Sequence, residues 1–153
     1  MNSTQLSWLI QGVLTPNGLY VPGVDTLLLG TAAQESHMYY YSKQINGPAL
    51  GMFQMEPDTN KDRWVNYINN RPILKKIFGD YHYYGPSDTA LQYDKVYQIL
   101  MARTKYLSVK EAIPSSVEGQ AHYWKDHWNT HLGKGTVEEY LKNYKKYVGE
   151  VTT

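Results

Sequence analysis

The sequence predicts a mainly α-helical single domain with at most a small β-hairpin. Three observations carry that expectation. Apolar residues recur at helical spacing in several separate runs. Cap and turn residues bound those runs. The chain has 153 residues and shows no repeat, low-complexity stretch or linker, so residues 1–153 form one domain. At that size a domain buries roughly 70% of its unfolded surface, enough for a core without help from disulfides.

The elements follow in order. NSTQLSWLIQGVL predicts a first helix with Ser3 or Thr4 as its cap. TPNGLYVPG is a turn cluster. The second helix is predicted from about Val24 to His37, with Val24, Leu28, Thr31, Ala32 and Glu35 on one face. The tyrosine triplet Tyr39–Tyr41 ends it, and a loop or small hairpin follows between residues 38 and 56, marked by Asn46, Gly47, Pro48 and Gly51. Pro57 and Asp58 open the next helix, with Asp58 as N-cap and Trp64 and Ile68 inward. RPILKKIFG predicts a short helix closed by Gly79, and GDYHYYGPSD an aromatic loop. One long helix is predicted from Asp88 to Val109, with Ala90, Tyr93, Tyr97, Leu100, Met101, Thr104 and Leu107 as its stripe. After Pro114, Ser115 and Glu118 form a capping box, and Val117, Ala121, Trp124 and Trp128 share a face. Thr136 and Glu139 cap the last helix, which buries Val137, Tyr140, Leu141, Tyr144 and Val148.

Composition narrows the function classes. With 15 Lys and Arg against 14 Asp and Glu the net charge is +1, and the basic residues are scattered. That argues against a nucleic-acid partner. There is no cysteine, and no run approaches the roughly 20 apolar residues a membrane helix needs, so no stable membrane insertion is expected. MNSTQLSWLIQGVL lacks the basic and apolar regions of a signal peptide. Tyrosine is abundant, 15 residues beside 4 Trp and 2 Phe. Its apolar face and polar tip suit sugar rings, but suit a half-wet core as well.

Glu35 is the residue that needs explaining. An acid on a core-facing helix surface is costly unless paired or protonated. Desolvation raises its pKa, and a Glu so raised can donate a proton near neutral pH, as cleavage of a glycosidic bond requires. On spacing alone, a local capping or pairing role at the helix end is the better account of Glu35.

The neighbourhood adds weight. Glu35-Ser36, followed by Gly51-Met52-Phe53-Gln54-Met55-Glu56-Pro57, resembles the lytic transglycosylase and goose-type lysozyme superfamily, whose pattern is E-S, an irregular stretch, then G-L-M-Q-x-x-P. Trp128-Asn129-Thr130 is similar to its later A-Y-N-A-G motif. LLLGTAAQES, GPALGMFQMEP, MARTKYL and LGKGTVEEYLKNYKKYV look like the phage and prophage endolysin branch, so the resemblance covers most of the chain. Phe53 stands where the family has Met, Trp128 where it has Tyr, and Thr130 where it continues with Ala-Gly.

The resemblance implies a lysozyme-like fold and cleavage of the β-1,4 bond between N-acetylmuramic acid and N-acetylglucosamine in bacterial peptidoglycan. It implies Glu35 as acid and then base, and Gln54 holding that acid or the sugar. Ser36 belongs to the same signature. The backbone at Met52 and Phe53 would line the cleft. Asn129 would bind an acetamido group or order Glu35. Trp128 and one of Tyr144 or Tyr147 would form sugar-facing walls. No cofactor or metal is implied. With no firm nucleophile, the expected chemistry is a transglycosylase yielding 1,6-anhydromuramic ends, with Glu56 as the residue able to supply a second carboxylate in a hydrolytic muramidase. An inactive glycan-binding virion module is the alternative from another class. An endolysin of this branch is expected to act as a monomer. It waits in the host cytoplasm until a holin opens the inner membrane to the cell wall.

Two other patterns carry less. His122, His127 and His131 are not joined by a carboxylate or cysteine at metal-site spacing. LGKGT lacks the full phosphate-loop pattern and is better explained as a turn into a capped helix.

Overall fold

A computed structural model of the chain describes residues 1–149. Eight α-helices are formed among them: α1 (Ser3–Leu14), α2 (Val24–Ser36), α3 (Pro57–Asn66), α4 (Pro72–Asp80), α5 (Asp88–Tyr93), α6 (Lys95–Leu107), α7 (Val117–Trp124) and α8 (Val137–Tyr147). The architecture is a mainly α, small single domain. The predicted hairpin region forms no strand among the described residues. Only isolated bridges join Lys43 to Leu50 and Leu50 to Met55. None of the described helices is long and apolar enough to cross a membrane.

Helix α2 is the axis of the fold. Every residue from Leu27 to Ala33 is buried, so the helix is enclosed on all sides and not merely along the predicted stripe. It packs against α8, α1 and α7. Gly30 permits the close approach of α8, because a Cβ there would lie 2.0 Å from the Tyr140 hydroxyl. Around α2 the core gathers Leu6, Ile10, Leu14, Leu100, Met101, Tyr106, Trp124 and Tyr140. Burial of this apolar surface, at about 25 cal/mol per Å², is the main stabilising contribution.

Several boundaries differ from expectation, each for a local reason. Asn2, not Ser3 or Thr4, caps α1, in a reciprocal capping box with Gln5. Glu56 is the N-cap of α3, and Asp58 lies within the first turn instead. Helix α4 continues through Gly79 to Asp80. The long helix expected from Asp88 to Val109 is two. Asp94 is extended and its side chain accepts the Tyr97 N–H, so it caps α6 and ends α5, leaving Tyr93 64% exposed. Ser116, not Ser115, caps α7 by accepting from Gly119. The predicted Thr136–Glu139 cap on α8 is present.

Candidate active site

Glu35 is the penultimate residue of α2. The helix ends there because His37, Met38 and Tyr39 all adopt left-handed backbone (φ 51, 60 and 65°). Such a conformation is costly for residues with a Cβ and persists only where the surroundings hold it. Ser36 supplies much of that hold. Its buried hydroxyl accepts from the Tyr39 N–H at 2.8 Å and donates to the Met52 carbonyl at 2.6 Å. Gln98 of α6 completes the brace, accepting from the Met52 N–H at 2.6 Å and donating to the Tyr39 hydroxyl at 3.1 Å. Gly51 allows this approach. Its φ is 81°, and a Cβ would lie 2.2 Å from the Leu91 carbonyl.

The brace leaves the Glu35 carboxyl at one wall of a cleft of about 380 Å³, lined also by Tyr41, Gln44, Gln54, Glu56, Thr59, Lys105, Trp128, Asn129 and Gly133. The indole N–H of Trp124 donates to Glu35 Oε2 at 3.0 Å. Burial pushes the carboxyl up from its ordinary 4.5 to about 7, against the opposing pull of that hydrogen bond and of the Lys105 ammonium. Near neutral pH the group is therefore divided between acid and carboxylate, the condition a general acid–base residue needs. Lys105 moves the other way. Burial brings it down to about 8, although Glu35 and Glu56 favour its charge. Its ammonium lies 4.1 Å from the Trp128 ring centroid and donates to the Trp128 carbonyl at 3.3 Å.

The chain beyond α7 widens into a π-helical turn, Lys125–Asn129, closed by the Thr130 N–H donating to the Lys125 carbonyl at 2.7 Å. The wider turn re-aims the residues that follow it, a frequent device at functional sites. It brings Trp128 and Asn129 to the cleft. Asn129 Oδ1 accepts from Lys125 Nζ at 2.6 Å, which fixes the amide. Gln54 has φ 49° and donates to the Gly51 carbonyl at 2.8 Å while lining the cleft.

Of the residues singled out in the sequence, Glu35, Gln54, Glu56, Trp128 and Asn129 meet in this cleft. The others lie elsewhere. Ser36 is fully buried and its hydroxyl is spent on backbone partners. Met52 is fully buried with both its backbone N–H and C=O engaged inward, and Phe53 is 2% exposed, so neither lines the cleft. Trp128 borders the cleft but is only 7% exposed, packed on Tyr106 and near Phe53, so most of its ring belongs to the core. Tyr144 is a buried core residue, and Tyr147 stacks on His37 at 5.3 Å in a separate surface depression. The tyrosine in the cleft is Tyr41, whose hydroxyl donates to the Glu35 carbonyl at 3.2 Å.

Sequence reasoning missed Tyr41, Lys105 and the Trp124 bond to Glu35. The tyrosine triplet was a visible signal for the first, and the shared helical face of Trp124 and Trp128 for the third. Lys105 had only its place in the otherwise buried run of α6. No group of three or more His, Cys, Asp or Glu that could hold a metal occurs among the described residues, and His127 lies 3.8 Å from Glu111. Compared with known proteins, the chain matches no family model, no curated protein and no solved structure.

Proposed function

We propose that the protein is a peptidoglycan-cleaving enzyme of lysozyme-like type, acting on the β-1,4 bond between N-acetylmuramic acid and N-acetylglucosamine as a lytic transglycosylase. The observation that carries this is one buried acid at the wall of a polar cleft, raised to about 7 by burial and held by one indole N–H. The E-S and G-x-x-Q-x-x-P resemblance supports the same assignment.

In this mechanism protonated Glu35 donates to the glycosidic oxygen as the C1–O bond breaks, releasing the N-acetylglucosamine hydroxyl and leaving positive charge on the muramic ring. The resulting carboxylate is stabilised by the Trp124 N–H, a charge-assisted hydrogen bond stronger in this state than with the neutral acid. It then takes the proton of the muramic 6-hydroxyl, whose oxygen closes on C1 to give the 1,6-anhydro product. No water enters, and Glu35 is returned protonated. Gln54 and Asn129 are the amides available to acetamido groups, and Tyr41 offers an aromatic wall. The setting proposed for this chemistry is that of a phage endolysin, held in the host cytoplasm and given access to the wall by a holin.

A second reading is a hydrolytic muramidase, favoured by Glu56, an exposed carboxylate lining the same cleft. Mass spectrometry of digested peptidoglycan in ¹⁸O-water separates the two. The transglycosylase leaves 1,6-anhydromuramic ends without label, and Glu56→Gln keeps substantial activity. Labelled reducing ends would refute the transglycosylase route and make Glu56 the second catalytic group.

A further inference from the structure

The cleft-facing side of α3 carries Glu56 and Thr59 and then continues, one turn on, to Arg63, with Tyr67 just past the helix end. Arg63 and Arg71 both lie against the Tyr67 ring, their guanidinium carbons 4.1 and 3.6 Å from its centroid. Two cations thus share one aromatic ring, no more than about 8 Å apart, and they repel.

Among the described residues no carboxylate forms an ion pair with either arginine, although the charge of Asp62 favours that of Arg63. The two ion pairs among the described residues, Lys76–Asp80 and His127–Glu111, involve neither arginine. Asp62 is adjacent in sequence, but its carboxylate accepts from Asn66 at 2.6 Å and forms no ion pair with either guanidinium. Only part of each fork is used: Arg63 Nη2 donates to the Thr104 carbonyl at 2.5 Å and Arg71 Nη1 to the Tyr67 carbonyl at 3.2 Å. Arg63 Nε is buried with no partner. A further cation, Lys105, is electrostatically coupled to Arg63 and lines the cleft itself. Two partly satisfied guanidiniums with no ion-pair partner among the described residues match the planar fork geometry that binds carboxylates.

We propose that Arg63, Tyr67 and Arg71 form a binding site for a carboxylate on the peptide branch of the polymer whose glycan strand lies in the cleft. This deepens the proposed function and rests on it for the nature of the polymer. The reach is consistent. Thr59 to Arg63 is about 6 Å along the helix, and Thr59 to Tyr67 about 12 Å. A peptide branch extends about 3.4 Å per residue, so a carboxylate two to four residues out along it meets the site.

The test uses the whole chain and three probes: N-acetylmuramyl-L-Ala-D-Glu with free carboxylates, its fully amidated counterpart, and inorganic phosphate. Binding is followed by NMR of the arginine Nε–H resonances. The acidic probe is expected to shift those of Arg63 and Arg71 saturably and to bind about three- to tenfold more tightly than the amide. Arg71 is exposed, so Arg71→Gln should keep the helical circular dichroism while removing that preference, and Arg71→Lys should restore part of it. Equal binding of acid and amide, a preference that survives Arg71→Gln, or saturation by phosphate alone would overturn the proposal. The readout does not require turnover. If the acidic probe binds at the arginines while walls are not cleaved, the catalytic reading fails and this site stands. If walls are cleaved but the acid preference is absent, this site fails alone.

Discussion

Replacing Glu35 by Gln should make the protein more stable at alkaline pH while removing its activity. The carboxyl rises from 4.5 to about 7 because burial disfavours its charge. Below 4.5 it is protonated in both folded and unfolded chains, so it adds no pH dependence. Between 4.5 and about 7 the unfolded chain has released the proton and the folded one still holds it. Stability therefore falls as pH rises through this window, and the loss is complete above about 7. At about 1.4 kcal/mol per pH unit the shift gives at most about 3.5 kcal/mol, and we take about 3 kcal/mol because the cleft lets water solvate part of the anion. Glutamine cannot ionise, and its amide oxygen can still accept from Trp124. For a domain of this size about 3 kcal/mol corresponds to about 6–12 °C in melting midpoint. Thermal melts followed by far-ultraviolet circular dichroism at pH 4 and pH 8 give the comparison. The variant should gain on the wild type between the two pH values by up to that amount. Clearing of bacterial walls should fall by about 10²–10⁴. A difference in midpoint that stays constant with pH would refute the buried-acid argument, and a variant keeping more than a tenth of wild-type activity would refute the catalytic one.

Three other outcomes follow from the same geometry. Trp124→Phe removes the N–H that favours the Glu35 carboxylate, so the upper limb of the pH–activity profile should move to higher pH, by about one unit; an unmoved limb would show the bond to be idle. Gly30→Ala places a methyl 2.0 Å from the Tyr140 hydroxyl and should cost about 1–3 kcal/mol, read as a lower urea midpoint at unchanged slope. Ser36→Ala breaks the tie between α2 and the Met52 loop and should also cost about 1–3 kcal/mol, with kcat falling more than KM rises; a rise in KM alone would mean that the hydroxyl binds substrate after all.

The helical class of this protein was legible because helices announce themselves locally. Apolar residues at turn spacing, and a Thr136–Glu139 cap, act over three or four residues and can be read in a line. The stripe of apolar residues runs unbroken across Asp94, and so periodicity alone does not reveal that its side chain caps α6. Glu35 could be placed on a buried helix face from spacing alone, and its unfavourable position in the core was the first sign of a site. What stands around it could not be read that way. Tyr41, Lys105 and Trp124 reach it from three separate segments, while Tyr144, Tyr147, Met52 and Phe53 turn into the core or onto another surface. Trp128 is drawn largely into the core by Tyr106 and Lys105. A cleft wall is a meeting of distant segments, and its composition depends on how each helix is rotated about its axis when packed. Sequence by itself determined the mainly α class and placed an acid on an inward-facing helix surface. Only the tertiary structure decided which partners that acid has and how far burial raises its pKa, because desolvation and charge coupling depend on distances in space and not along the chain.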